Sequence, residues 1–205
     1  MGGIKVTNYV VKHADNWMKA FAEHIWIVLI TLLLSVLLAS ALTIGAMYVN
    51  VLGKILIQIF SVIYSIPSLA LFALFIPLTG LGMDTAIIVL VLYNQYLLLR
   101  NFITGLNEVD PAILEAATGM GMTKVQILVQ VQLPLARKAL FTGLRLAVVS
   151  TIGIATIAAS INAGGLGSIL FDGLRTMNVY KIVWGAVLAG GFAIVTNEIL
   201  QKLEK

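Results

Sequence analysis

The sequence predicts an all-α polytopic membrane protein with about five transmembrane helices, and three observations support this fold class. Hydrophobic residues occupy 60% of the 205 positions and charged residues only 11%, whereas soluble domains carry roughly a quarter charged residues. Mean hydropathy is +1.02. Uncharged runs long enough to cross a hydrocarbon core, which takes about twenty apolar residues, recur along the chain. We predict one transmembrane domain over residues 1–205.

Composition also excludes several classes of function. The net charge of +4 comes from basic residues scattered among loops, so no nucleic-acid partner is predicted. The absence of cysteine excludes disulfides and thiolate metal sites. His13 and His24 stand alone, which is more typical of interfacial residues than of metal ligands. No lysine precedes serine or threonine, so the nucleotide-binding Walker A motif is missing. We predict no metal site, no cofactor and no enzymatic activity on this chain.

The N-terminal residues 1–23 form a polar leader, and its 7–23 stretch interleaves apolar with charged residues. This pattern predicts an amphipathic helix that lies along a membrane surface, with Trp17 and Trp26 at headgroup depth. A solvated leader with a few apolar residues is the alternative. The composition of residues 1–23 differs from that of a cleaved signal peptide.

The first two spans are predicted from uncharged runs at 25–49 and 55–78, separated by Lys54. Pro67 lies in the middle of the second run and removes an internal hydrogen bond, so this helix should kink or break there. Two interpretations of Pro67 remain open: it shapes a translocation path, or it only adjusts helix packing.

The third span is predicted over Thr85–Leu99, and Arg100 closes it. It contains four polar residues in succession, Tyr93-Asn94-Gln95-Tyr96. Polar side chains at membrane depth normally face a bundle interior or a wet cavity. Hydrogen bonding between helices is the alternative for each of them.

The segment 110–134 is the least apolar part of the interior of the chain and is predicted to fold as a helix–turn–helix. Asp110 followed by Pro111 is the preferred order for a helix start. Gly119 and Gly121 then favour a turn. Thr123 and Gln126 have the spacing of a capping box, and Pro134 is predicted to make a corner before the next span. A structured loop without a partner is the alternative.

The fourth span should follow Arg137 and Lys138 and continue to about Ile161. Arg145 lies roughly two turns inside, where it can snorkel toward the headgroups or pair within an assembly. Small residues dominate the second half of this helix, 150–160, which predicts a close-packing face for another subunit.

The end of the chain contains a glycine-rich segment, 162–167, an amphipathic stretch, 168–180, and a fifth span over 182–200. The glycine-rich segment lacks the spacing of a dinucleotide loop and a following Lys-Ser or Lys-Thr.

Residues within 110–134 carry a resemblance to a known family. Glu115-Ala116-Ala117, three residues, Gly121, nine residues and Val131-Gln132-Leu133-Pro134 fit the pattern E-A-A-x3-G-x9-I/V-x-L-P. This pattern resembles the E-A-A loop in the membrane subunits of binding-protein-dependent ABC importers. The resemblance extends over about 61–167. Three stretches within it, 65–70, 99–101 and 164–167, resemble the branch that imports glycine betaine, carnitine or choline.

The resemblance implies a type I ABC importer permease in a bacterial cytoplasmic membrane, with 110–134 as a cytoplasmic coupling helix. It implies four further components: an ATPase dimer that holds ATP and Mg, a second permease copy or paralogue, an extracytoplasmic binding protein and surrounding lipid. The implied coupling residues are Glu115, Ala116, Ala117, Gly121, Leu133 and Pro134. The expected path residues are Tyr64, Pro67, Tyr93 and Asn94, and the expected gate residues are Gly164, Gly165 and Gly167.

Two other functions remain to be weighed. A secondary transporter or channel would need no ATPase, but Asp84, Glu108 and Glu198 lie at predicted span ends, leaving no buried carboxylate for a coupling ion. The same ABC machine could instead carry an amino acid such as methionine. Five spans place the N-terminus outside if 110–134 is cytoplasmic, and the distribution of Lys and Arg supports this orientation only weakly.

Overall fold

A computed structural model describes residues 14–204, and helices dominate this part of the chain, which contains no strand. In chain order the helices are α1 Ala14–Tyr48, α2 Asn50–Ser65, α3 Ser68–Thr79, α4 Met83–Asn107, α5 Pro111–Gly119, α6 Lys124–Ile127, α7 Leu133–Ala158, α8 Leu166–Arg175 and α9 Val179–Glu204. A π-helical turn, Leu128–Gln132, joins α6 to α7, and a 3₁₀ turn, Ala159–Ile161, follows α7. The prediction of an all-α protein is confirmed.

Four helical stretches in the described residues are long and apolar enough to cross a membrane: α1 from Asp15, α4, the continuous stretch Lys124–Ile161, and α9. The α2–α3 pair passes the same test only when its two helices are taken together, and it is bent by 98°. With the bent pair as one span, the chain has the five crossings that its composition predicts.

Pro67 breaks the second span as predicted. Helix α2 ends at Ser65, Ile66 is extended with φ −73° and ψ 131°, and Pro67 precedes the first residue of α3. The proline ring disfavours helical backbone at the preceding residue and supplies no amide hydrogen. The break therefore leaves main-chain carbonyls available to side chains of other helices.

Helix α4 is the centre of the bundle, and α1, α2, α3 and α7 all pack against it. The contact with α7 is close because small residues meet there: a Cβ on Gly105 would overlap that of Ala139, and one on Gly143 would lie 2.7 Å from the Cβ of Asn101. Small residues let two helix backbones approach closely where lipid offers no hydrophobic drive for association.

The two ends of the bundle carry different parts of the chain. One end holds the C-termini of α1, α4 and α9 with the segment 110–134. The other end holds the start of α1 against the loop before α8. We call these the coupling end and the outer end.

The N-terminal leader differs from the prediction in its described part. Residues 14–23 do not form a separate surface helix but are the first turns of α1. Trp17 is buried against Leu166 and Ile169, with its ring centroid 6.3 Å from that of Trp184, whereas Trp26 is exposed. The apolar side of the leader is thus used for packing within the bundle. Residues 1–13 lie outside the described part.

The third span is longer than predicted, since α4 continues beyond Arg100 to Asn107. Phe102 and Leu106 are buried on this extension, and the Asn101 amide donates to the Leu97 carbonyl at 2.7 Å. A side chain that hydrogen-bonds its own helix backbone lets a polar residue continue the helix.

The predicted corner at Pro134 is wrong. The helix runs without interruption from Lys124 to Ile161. Its π-helical turn pairs the Leu133 amide with the Leu128 carbonyl, five residues back. Pro134 then occupies the first turn of α7, where a missing amide hydrogen costs little.

Candidate coupling surface and translocation path

The start of the coupling segment has the caps that the sequence predicts. Asp110 accepts a hydrogen bond from the Ala112 amide at 2.9 Å, and Pro111 is the first residue of α5. After α5, Gly121 adopts φ +81°, which glycine reaches without steric cost. Thr123 and Gln126 then form a complete capping box at the start of α6.

These caps hold the E-A-A residues at the surface. Glu115 and Ala116 are exposed on α5, while Ala117 is 2% exposed and anchors the helix. Leu133 and Pro134 are exposed at the start of α7. Four large apolar side chains are also exposed on the same segment: Ile113, Met120, Val125 and Val129. We call Glu115, Ala116 and these four residues the coupling surface, and its mixture of apolar area with one carboxylate is typical of a protein-binding patch.

Helix α9 is fastened to α7 at the coupling end. Arg145 forms an ion pair with Glu204 at 2.8 Å and donates to the Asn197 amide oxygen at 3.2 Å. Arg137 donates to the main-chain carbonyl of Glu204 at 2.8 Å. Of the two alternatives for Arg145, the structure therefore shows pairing, and it does so within this chain.

A cavity of about 590 Å³ lies between the span ends and the root of the coupling segment. Lys54, Thr104, Asn107 and Gln132 contribute polar groups to its wall. The buried Thr43 hydroxyl lines the same cavity and has no hydrogen-bond partner among the described residues. The cavity thus separates part of the coupling segment from the span ends.

Asn94 does not line an open path in this structure. It is 1% exposed, and its amide nitrogen donates to Thr151 at 2.8 Å and to Ser35 at 3.2 Å. Gln95 is also buried and donates to the Ser35 carbonyl at 3.2 Å. For both amides the alternative of interhelical hydrogen bonding holds, because α4 is surrounded by α1 and α7 at this depth.

Tyr93 and Tyr64 lie at the break in the second span. The Tyr93 hydroxyl donates to the carbonyl of Ile66, one of the main-chain groups that the break releases, and the Tyr93 side chain is buried. Tyr64 is half-buried, with its ring centroid 5.6 Å from that of Tyr93 and 5.0 Å from that of Tyr96. Pro67 is exposed beside them.

Sequence reasoning missed Tyr96 and Arg100 as partners. The Arg100 guanidinium donates to the Tyr96 hydroxyl at 2.7 Å and lies 5.9 Å from the ring centroid. Their spacing of four residues places them on one face of a helix, and that signal was present in the sequence.

Two kinds of exposed surface can be distinguished on the spans. Along the middle of α1 the exposed large side chains are leucines, including Leu29, Leu33 and Leu37. Across α2 and α4 a second surface is polar and aromatic. We call it the polar face, and it consists of Gln58, Ser61, Tyr64, Ser65, Tyr96 and Arg100. Because polar groups are costly against lipid, the leucine surface fits lipid and the polar face fits a wet cavity or a partner.

The glycine-rich segment is held against the start of α1 at the outer end. Gly164 and Gly165 have φ +83° and +77°, and the Gly165 amide donates to the Glu23 carboxylate at 3.1 Å. A Cβ on Gly165 would lie 2.8 Å from the His24 ring. One on Gly167 would overlap the Thr156 carbonyl oxygen. Glu23 was not predicted as a partner, because it is far from this loop in sequence.

Helix α8 is tied to α9 by Asp172, which pairs with Lys181 and, at 2.9 Å, with Arg175. The hydrogen bond from Lys181, followed by that from Arg175, holds the pKa of the Asp172 carboxyl below its usual 3.8. The outer end is therefore braced by charged contacts at α8.

Comparison with known proteins gives the family. Residues 31–200 match the model described as "Binding-protein-dependent transport system inner membrane component". The chain belongs to this family. It is therefore a multi-pass inner-membrane subunit of a transport system that depends on a binding protein, and a transport component rather than an enzyme.

Curated relatives cover most of the permease. It is 38% identical over 183 residues to the choline transport system permease protein OpuBB of Bacillus subtilis. This alignment covers 89% of this chain and 84% of that protein. It is 33% identical over 199 residues to the carnitine transport permease protein OpuCB of Listeria monocytogenes, which covers 97% and 91% respectively. These matches place the permease in the osmoprotectant branch of ABC importer membrane subunits.

The fold is also that of solved ABC importer subunits. A chain of the MetNI methionine ABC transporter in an inward-facing conformation superimposes with a TM-score of 0.81 and covers 92% of this chain. The permease covers 94% of that chain, at 19% sequence identity. The likeness shows the type I importer fold and, at this identity, nothing about the cargo.

Proposed function

We propose that this permease imports a quaternary-ammonium osmoprotectant of the glycine betaine, carnitine or choline type, and that its coupling surface receives the driving movement from a separate ABC ATPase. The observation that carries the proposal is the E-A-A segment, which is capped at both helix starts and exposed at one end of the bundle. The names of the curated relatives support the class of cargo.

The coupling segment suits the transfer of force. Helix α5 begins three residues after the C-cap of α4, and α6 continues without a break into α7. A push on α5 is therefore delivered to the two helices with the most extensive mutual contact in the bundle. The ATPase dimer would bind ATP with Mg, because this chain has no motif for either.

A second permease copy or a paralogue would complete the path. The polar face covers only one side of a passage in the isolated chain. On α7, Leu146, Val149 and Gly153 form an exposed stripe, and nothing lies within 4 Å of a Cβ built on Gly153. Such an open small-residue position is suited to close contact with another helix. The predicted gate residues, Gly164, Gly165 and Gly167, would face the binding protein at the outer end.

The coupling role is tested by charge reversal on the coupling surface. Glu115→Arg is expected to lower the amount of ATPase subunit that co-purifies with the permease by at least about tenfold, since it replaces the one carboxylate at a docking patch. The measurement is the ratio of ATPase to permease after affinity purification from membranes. Asp84→Arg, the same reversal in the exposed first turn of α4 at the outer end, is the matched control and should leave the ratio unchanged. Equal ratios for both variants would contradict the coupling role.

A further inference from the structure

Arg100 is an exposed cation at membrane depth without a carboxylate partner. Its position is seven residues before the end of α4, which is roughly 10 Å into the span from the coupling end. Within residues 14–204, no carboxylate lies at ion-pair distance from it. A charged side chain at such depth normally marks a path for solute or ions.

The guanidinium instead contacts the hydroxyl edge of an aromatic side chain, Tyr96. Its central carbon is 5.9 Å from the Tyr96 ring centroid, and one nitrogen donates to the Tyr96 hydroxyl. Behind Tyr96 lies Tyr64, at 5.0 Å and an interplanar angle of 34°, and behind Tyr64 lies Tyr93, whose hydroxyl is anchored on Ile66. The rear of this aromatic cluster is thus fixed, and Arg100 is exposed in front of it.

The ring faces of Tyr96 and Tyr64, which are both half-buried, can hold a quaternary ammonium, since the ring quadrupole attracts cations. We propose that Tyr96 and Tyr64 with Arg100 form a transit site for a zwitterion that carries a quaternary ammonium and a carboxylate. The ammonium lies on the Tyr96 and Tyr64 faces, and the guanidinium beside the Tyr96 hydroxyl pairs with the carboxylate. This inference rests on the proposed function and names the residues of the path that recognise the cargo.

The arrangement favours a zwitterion over a simple cation. A cargo without a carboxylate would bring a second positive charge beside Arg100 with nothing to compensate the repulsion. A zwitterion supplies the missing anion and forms a bidentate pair of the kind that guanidinium groups prefer. Within the proposed cargo class, the site therefore favours glycine betaine and carnitine over choline, and it distinguishes glycine betaine from a cation of similar size such as tetramethylammonium.

The test uses the permease–ATPase complex in lipid nanodiscs without the binding protein, so that only contacts of the path are measured. Saturation-transfer NMR on the N-methyl protons gives dissociation constants for glycine betaine and tetramethylammonium as separate probes. Arg100→Gln is expected to weaken the binding of glycine betaine roughly tenfold and to strengthen the binding of tetramethylammonium. Tyr96→Leu should weaken the binding of both probes. Tyr96→Phe should leave the binding of tetramethylammonium unchanged, because the aromatic ring remains.

A matched control is available elsewhere in the chain. Arg137 lies 5.8 Å from the ring centroid of Phe141 at the start of α7, away from the polar face, and Phe141→Leu should leave both probes unaffected. Equal weakening of both probes by Arg100→Gln, or the same losses with Phe141→Leu, would overturn the inference. No measurable binding of glycine betaine to the native complex would overturn it as well.

The two proposals fail in different ways. A permease that does not assemble with an ATPase contradicts the proposed function. An assembled complex with ATPase activity, in which Tyr96→Leu and Arg100→Gln leave glycine betaine binding unchanged, contradicts only the transit site.

Discussion

Two glycines on the outer half of the permease show how a single residue type serves different purposes. Gly167 lies where α8 crosses the end of α7, and a Cβ there would overlap the Thr156 carbonyl oxygen. Gly153 is exposed on α7, and a Cβ there meets nothing within 4 Å. The first glycine is required by packing inside this chain, and the second is open to a neighbour.

Gly167→Ala is therefore expected to destabilise the isolated permease by about 1–3 kcal/mol, since the main chain of α7 must move to admit the methyl group. Gly153→Ala should leave its stability within about 0.5 kcal/mol of the native value, because the position is exposed. Thermal unfolding of the two purified variants provides the measurement. A neutral Gly167→Ala would show that α8 does not pack as described.

Asn94 shows how a polar residue within a span can join neighbouring helices. Its amide joins α4 to α1 and α7 through Ser35 and Thr151, all of them buried. In the sequence, the same residue looks identical to one that lines a path. Only its neighbours separate the two roles.

At the scale of the elements, α8 depends on charged contacts as well as on apolar packing. Its link to α9 is the carboxylate of Asp172, held by Lys181 and Arg175. The pKa of this carboxyl is lowered in the folded protein, so its stabilisation is complete above the unfolded value of 3.8 and is lost as the pH falls through the folded pKa.

Between pH 5 and 8 we accordingly expect the titration of Asp172 to leave the free energy of unfolding unchanged, because this range lies about one unit or more above the pKa of its carboxyl. Asp172→Asn should reduce the protection of α8 amides at pH 7 by at most about 1 kcal/mol, because water screens this partly exposed group. Hydrogen exchange of α8 in both proteins at pH 5, 7 and 8 measures the effect. A difference that grows from pH 5 to 8 would contradict this assignment.

The π-helical turn is a second feature of the element scale. It joins α6 to α7 and allows Pro134 to enter a continuous helix. Turns of this kind are concentrated at functional sites, and this one contains Val129 of the coupling surface and leads directly into α7.

At the scale of the whole molecule, the two ends of the bundle are closed by different contacts. The outer end is closed by Glu23 on the glycine-rich segment, and the coupling end by Arg145 and Arg137 on the end of α9. Helix α7 takes part in both ends through its C-terminal turn and its first turns, so a single continuous helix connects them.

Glu204→Gln is expected to weaken the contact of α9 with α7 by about 1–3 kcal/mol, because Arg145 is then left partly buried without a counter-charge. We expect transport per ATP hydrolysed to fall while binding of the ATPase persists, since the coupling surface itself is intact. The measurement is the ratio of cargo uptake to ATP hydrolysis in proteoliposomes. Lys202→Gln, a change of charge on the exposed side of the same helix end, is the control.

Local chemistry determined much of this structure, and these parts were predictable. The spans follow from uncharged runs, the break from Pro67, and the coupling helices from Asp110, Thr123 and Gly121, because each depends on neighbours within a few residues. The family followed from a motif at fixed spacing, and the family match confirms it.

The tertiary structure alone decided the rest. It placed Trp17 in the bundle, carried the helix through Pro134, made Asn94 a link between helices, and set Glu23 against Gly165 and Arg145 against Glu204. A chain in lipid must satisfy its polar groups internally, so each such side chain takes whichever partner the packing brings near. Partners that are at least 57 residues away along the chain leave no local trace in the sequence, and for that reason they had to be seen in three dimensions.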